Sequence, residues 1–201
     1  KNTKYINDLS SNIEELDNLI LYGPSACGKY TDSLKIIEKF SKSKLKYEKK
    51  MTIISNKNEH LIKISDIHYE IDMALLGCNS KTLWHEIFYQ IVDIISIKET
   101  KVGFIVCKNF HETHNELLDI FYSYIQQYNN INAIIKLNFI LITESVSFLP
   151  NDILNSFTNN NIQRPKDYTK NIKKENHFEE NMKHIENKDI MNIKEMNHFS
   201  Q

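Results

Sequence analysis

Seven residues near the amino end carry the most readily identified chemistry of this sequence: Gly23-Pro24-Ser25-Ala26-Cys27-Gly28-Lys29. Two glycines separated by four residues, with a lysine next, let the main chain curl so that successive N–H groups converge on one anion. A helix starting at the lysine adds the positive end of its dipole. The lysine itself supplies a mobile charge for the outer phosphates of a nucleotide. Ordinary strand-to-helix turns can share the spacing, so the flanking sequence matters. Before the loop, Asn18-Leu19-Ile20-Leu21-Tyr22 is a compact apolar run that predicts a buried strand. After it, Leu34, Ile36, Ile37 and Phe40 recur at helical spacing and are expected to face inward. Motif and context together predict a phosphate-binding loop, with Gly23, Pro24, Ser25, Ala26, Cys27, Gly28, Lys29, Tyr30 and Thr31 as the residues around ATP or ADP.

The match stops at the next position. A serine or threonine normally follows the lysine and its hydroxyl ligates Mg²⁺. Here the residue is Tyr30, whose phenol projects too far from the main chain, and Thr31 leaves the helix in another direction. Nucleotide is therefore expected to bind while Mg²⁺ is held poorly. ATP hydrolysis also needs an acid at the end of a neighbouring buried strand. The candidate runs Phe104-Ile105-Val106-Cys107-Lys108-Asn109-Phe110-His111, with no acid at its end. Lys108 and Asn109 cannot act as general bases at neutral pH, and Glu112, further on, reads as a helix-start residue. No catalytic residue and no metal ligand is assigned. His111-x-x-His114 has the wrong spacing for a helical zinc motif. Asp66 and Glu70 are given no role, and Cys27 reads as a small side chain that the turn tolerates.

The elements that must position the loop follow from apolar pattern. Met51–Ser55 and Leu61–Ser65 suit a hairpin, Ile67–Ile71 continues extended, and Lys101–Cys107 and Leu137–Thr143 read as buried strands. Asn79 or Ser80 is expected to cap a helix carrying Leu83, Trp84, Ile87, Phe88, Ile91, Val92 and Ile95. Thr113-x-x-Glu116 resembles a capping box ahead of Leu117, Leu118, Phe121, Tyr122 and Ile125. Pro150 opens a short helix through Leu154, and Ile162 ends a last short strand. Trp84, Phe121 and Tyr122 are expected in the core, and the lysines between Lys42 and Lys50 in a solvated connector. Buried strands alternating with amphipathic helices predict an α/β fold: three αβα layers around a mainly parallel sheet. That domain is placed at residues 1–165. Residues 166–201 are polar and rich in Lys, Asn and Glu, and are expected to be a tail or a partial helical lid.

Composition narrows the options. At 201 residues, 41% hydrophobic and 25% charged, the chain suits one globular domain with a short addition. A net charge of −1 provides no general attraction to nucleic acid. Arg164 is the single arginine among 25 basic residues, so planar phosphate clamps and arginine fingers are scarce. No apolar run approaches the roughly 18 residues of a membrane span. Cys27, Cys78 and Cys107 form no close pair and read as reduced thiols of an intracellular protein, nuclear or cytoplasmic.

Over residues 15–165 the chain resembles the AAA+ clamp loaders, especially replication factor C small subunits. Leu21–Thr31 is similar to the loop of a small subunit that also lacks the hydroxyl residue after the lysine. Ile67-His68-Tyr69-Glu70-Ile71 falls where that family has a short strand, and Phe104–Gln127 follows in the same order. The resemblance implies other AAA+ clamp-loader subunits, a sliding clamp and primed DNA as partners, with DNA met through the assembly. Departures fall on the catalytic positions. The sensor strand ends in Thr143 rather than Asn, and the place of the family's Ser-Arg-Cys finger reads Asn155-Ser156-Phe157. Losing an arginine finger alone costs about 10³-fold in rate or more. The implied function is a nucleotide-binding AAA+ subunit with degenerate hydrolysis residues. Two alternatives stand beside it: a nucleoside monophosphate kinase-like enzyme, disfavoured by the single arginine, and a non-catalytic interaction module on a decayed P-loop fold.

Overall fold

The computed structural model describes residues 4–10, 12–13, 15–55, 58–128 and 134–163. All of them lie in one compact unit, Lys1–Gln163. Arg164 and the expected tail or lid at 166–201 lie outside the described residues.

Short apolar runs become strands because a buried main chain must satisfy its N–H and C=O groups on neighbours. The strands are β1 Leu19–Tyr22, β2 Lys49–Ser55, β3 Asn58–Ile64, β4 His68–Asp72, β5 Val102–Lys108, β6 Lys136–Thr143 and β7 Thr158–Asn161. They form one sheet in the order β2-β3-β4-β5-β6-β1-β7. From β4 to β7 every pairing is parallel, while β2, β3 and β4 pair antiparallel. The hairpin expected from two short strands is therefore present as β2 and β3, and it extends the parallel sheet at one edge.

Side chains alternate across the sheet, which sorts each strand's residues onto two faces. Ile20, Ile71, Ile105, Cys107, Leu137, Phe139 and Leu141 pack against α3 (Ser80–Ile97) and α4 (Asn115–Tyr128). Leu19, Leu21, Phe104, Val106, Ile140 and Ile142 pack against α1 (Lys4–Asp8) and α2 (Lys29–Glu38). A fifth helix, α5, spans Asn151–Asn155, with Pro150 preceding it. Helices thus cover both faces of a mostly parallel sheet, giving the predicted three-layer α/β fold. α3 lies so close to the sheet that a Cβ at Gly103 would meet Ile95 Cδ1 at 2.5 Å.

Trp84 anchors the α3–α4 side. It is fully buried, with ring centroids 4.9 Å from Phe121 and 5.9 Å from Phe88. On the sheet itself, buried Asn138 donates from Nδ2 to Leu16 O at 2.6 Å. The Phe139 N–H in turn donates to Asn18 Oδ1 at 2.8 Å, so two asparagines tie the entry of β1 to β6.

Three local expectations are corrected. Thr113 does not cap α4. A 3₁₀ turn at Phe110–Glu112 leaves Thr113 extended, and its buried Oγ1 has no partner among the described residues. The Leu118 N–H donates to His114 O at 3.0 Å instead, so the helix starts from His114. Neither Asn79 nor Ser80 caps α3 through its side chain. On α2, Leu34 is only half-buried, while Asp32 and Ser33 join Ile36 and Ile37 inside. Removing the largest core side chain tests the packing: Trp84→Ala should lower unfolding free energy by about 3–5 kcal/mol in chemical denaturation.

Candidate functional site

β1 ends at Tyr22 and the chain turns at once into the loop. Gly23 has φ +149°, and a Cβ there would lie 2.2 Å from Ile162 O, so the space permits only glycine. Gly28, at φ +96°, makes the left-handed step that aims α2. Ala26 is also left-handed at φ 56°. In this shape the main-chain N–H groups of Ala26, Cys27, Gly28, Lys29 and Tyr30 have no acceptor among the described residues. They border an open cavity of about 360 Å³, lined by Ser25 to Thr31 together with Asn109, His111, Ile142 and Glu144.

Lys29 is almost fully buried and folds back on the loop. Its Nζ donates to Gly23 O at 2.6 Å and to Pro24 O at 2.7 Å. An ammonium has three donors, so the loop carbonyls hold it ready at the cavity wall. Such an arrangement of free amides, helix start and lysine can bind a polyphosphate.

Tyr30 turns away from the hydroxyl role that a P-loop assigns to its position. Its phenol donates to Glu70 Oε2 at 2.8 Å and accepts from Lys63 Nζ at 3.0 Å. Lys108, the last residue of β5, donates from Nζ to the other oxygen, Glu70 Oε1, at 3.2 Å. Its Nζ also stands 5.0 Å from the Tyr30 ring centroid. Lys63 continues the network to Glu48 Oε2 at 2.6 Å. Strand alternation explains the meeting. Phe104 and Val106 point to the α2 face, so Lys108 does too, and register places Lys63 directly opposite Glu70.

Burial opposes ionisation of Glu70, but neighbouring His68, the Tyr30 hydroxyl and the Lys108 ammonium bring its pKa down to about 2. His68 Nε2 itself stands 3.7 Å from Glu70 Oε2, beyond hydrogen-bond length, while its Nδ1 meets Ser65 Oγ at 2.5 Å. Sequence reading gave Glu70 no role, and the structure corrects this: it is the buried acid to which Tyr30 and Lys108 are tied. Asp66, also left without a role, accepts from Ser41 Oγ at 2.8 Å and pins the connector after α2. The hub escaped sequence reading because its members stand at 30, 63, 70 and 108. The one available signal was that lysine and tyrosine together replace the usual acid and hydroxyl.

The neighbouring strand ends complete this edge of the sheet. Asn109 is left-handed at φ 50°, and its Nδ2 donates to Asp72 Oδ1 at 2.9 Å. Thr143 is buried at the end of β6 and donates to Ser145 O at 2.8 Å. The next residue, Glu144, is exposed and lines the cavity. Sequence reading missed Glu144 although it directly follows a recognised strand. In the place of the finger tripeptide, Phe157 is buried and Ser156 Oγ donates to Asp152 O at 2.6 Å.

Comparison with known proteins agrees at the level of the fold. No protein-family model matches the chain, and no curated protein matches it by sequence. Among solved structures, Caenorhabditis elegans PCH-2 is 14% identical over 83% of this chain, with a TM-score of 0.50. A variant of Thermotoga maritima RuvB is 14% identical over 80% of the chain, with a TM-score of 0.48. The chain spans 38% of the PCH-2 structure and 43% of the RuvB one. At that identity the likeness to PCH-2 shows the fold alone: the mostly parallel α/β architecture described above is shared with it. Among the described residues, no helix is long and apolar enough to cross a membrane.

Two outcomes check the site's architecture. Gly23→Ala should cost about 2–4 kcal/mol in denaturation, because both the contact and the φ oppose a side chain. Glu70 has a folded pKa below its usual value of 4.5. Its contribution, on the order of 3 kcal/mol, is therefore complete above pH about 4.5 and is lost as pH falls toward 2. Glu70→Gln should flatten that part of the stability–pH curve, read by thermal melting between pH 2 and 7.

Proposed function

We propose that this chain is a nucleotide-binding AAA+ subunit that holds ATP or ADP at Gly23–Thr31 and does not hydrolyse ATP on its own. One observation carries the reading: a cradle of unpartnered loop amides with Lys29 at its wall, beside a strand end where an ammonium stands in place of a carboxylate. The first half is what a polyphosphate needs. The second removes the acid that would position metal or polarise water. Residues 1–165 would form the nucleotide domain, with 166–201 as a tail or partial lid.

The finer proposal is a clamp-loader subunit of the replication factor C type. It would pack with sister ATPases, lean on their active sites, and help open a sliding clamp at primed DNA. The support is the sequence resemblance over residues 15–165 together with the AAA+ fold.

Melting curves test the core of the proposal. ADP or ATP at about 100 times its Kd should add about 2.7 kcal/mol of stability, read as an upward shift in Tm. Lys29→Ala should remove most of the shift. Phosphate release from ATP by the isolated chain should stay at background. Turnover by the isolated chain, or no shift with any nucleotide, would contradict the reading. Capture of AAA+ partner subunits from source extract tests the clamp-loader part.

A further inference from the structure

P-loop proteins hold Mg²⁺ between the hydroxyl after the loop lysine and an acid at a neighbouring strand end. The residues present here do not fit that ion. At the first position, the Tyr30 phenol is committed to Glu70 and Lys63. At the second, the end of β5 on the α2 face, stands Lys108. Behind Tyr30, both oxygens of Glu70 are taken, one by Tyr30 and one by Lys108. Lys63 and Lys108 lie 5.7 Å and 5.0 Å from the Tyr30 ring centroid, so two ammonium groups flank that ring at the edge of the cavity. Among the described residues, no group of three or more His, Cys, Asp or Glu side chains could hold a metal.

We infer that this chain takes its nucleoside di- or triphosphate free of divalent metal, with the Lys108 ammonium fixed beside Tyr30 as counter-charge. The inference rests on the nucleotide-binding reading above. A divalent cation ordinarily screens the outer phosphates and links them to the protein. In this site the protein carries the positive charge itself. Glu70 anchors the Lys108 ammonium from behind, and the flat Tyr30 ring supports it from the side by cation–π attraction. A second cation brought into this space meets like charge in a half-buried setting, where screening is weak. Lys108 remains about one-third exposed, so its charge reaches outward while its position is held.

Calorimetric titration of the full chain with ADP, and separately with ATP, decides the matter when run in excess Mg²⁺ and again in EDTA. The expected result is a Kd that agrees within about twofold between the two conditions. Lys108→Met should weaken ADP binding about tenfold in both. The double change Tyr30→Thr with Lys108→Asp restores the usual ligand types and should make binding about tenfold tighter with Mg²⁺ than with EDTA. A wild-type Kd that weakens tenfold or more in EDTA would overturn the inference and leave nucleotide binding standing. If Glu144→Gln then removed that dependence, the metal would be held at the exposed carboxylate across the cavity. No heat and no saturation under either condition would overturn the nucleotide reading and this inference with it. Should the double variant fail to fold, the wild-type comparison still decides.

Discussion

A short strand paired in parallel on both sides has only its ends available for chemistry. β1 lies between β6 and β7 with its apolar side chains buried, and β5 lies between β4 and β6 in the same way. Every parallel strand ends at the same edge, so the loop after Tyr22, the end of β5 at Lys108 and the end of β6 at Thr143 converge there. The remainder of the site follows from that convergence. Gly23 can turn only because it lacks a side chain beside Ile162, and Gly28 sends α2 across the face that Phe104 and Val106 also occupy.

Onto that edge the sequence places a buried carboxylate that must be balanced. An unpaired Glu70 would be costly in so enclosed a position. Its partners are Tyr30 and Lys108, at the two positions where a P-loop ATPase would carry a hydroxyl and an acid. The three make one compact network, in which each member supplies what the others require. Tyr30 gives Glu70 a donor, and Lys108 gives it a counter-charge. This coupling lets the edge of the sheet hold a buried carboxylate beside a well-packed glycine loop.

The loop was legible in the sequence because its residues are neighbours: Gly23, Gly28 and Lys29 carry their geometry within seven positions. Apolar runs such as Leu19–Tyr22 and Leu137–Thr143 were equally plain, since burial on both faces leaves little room for polar residues. The β2–β3 hairpin was found from its two Ile-rich cores. Contacts made by register were not legible. Nothing local to Lys63, Glu70 or Lys108 says that the three share a face, and only strand pairing brings them to Tyr30. Thr113 illustrates the opposite failure, a good local signal overridden when a 3₁₀ turn shifted the helix start to His114. Glu144 follows β6 as an exposed polar residue, as in any loop, so its local sequence carries no sign that it lines the cavity.

In the proposed reading, the loop amides grip a polyphosphate beside a strand end that carries Lys108 rather than an acid. A crystal structure of the chain grown with ADP examines it most directly. The β-phosphate should sit within hydrogen-bond distance of the N–H groups of residues 26–30, with Lys29 Nζ turned from Gly23 O and Pro24 O toward a phosphate oxygen. An ADP bound elsewhere on the surface, or a loop cavity left without phosphate at saturating ADP, would contradict it.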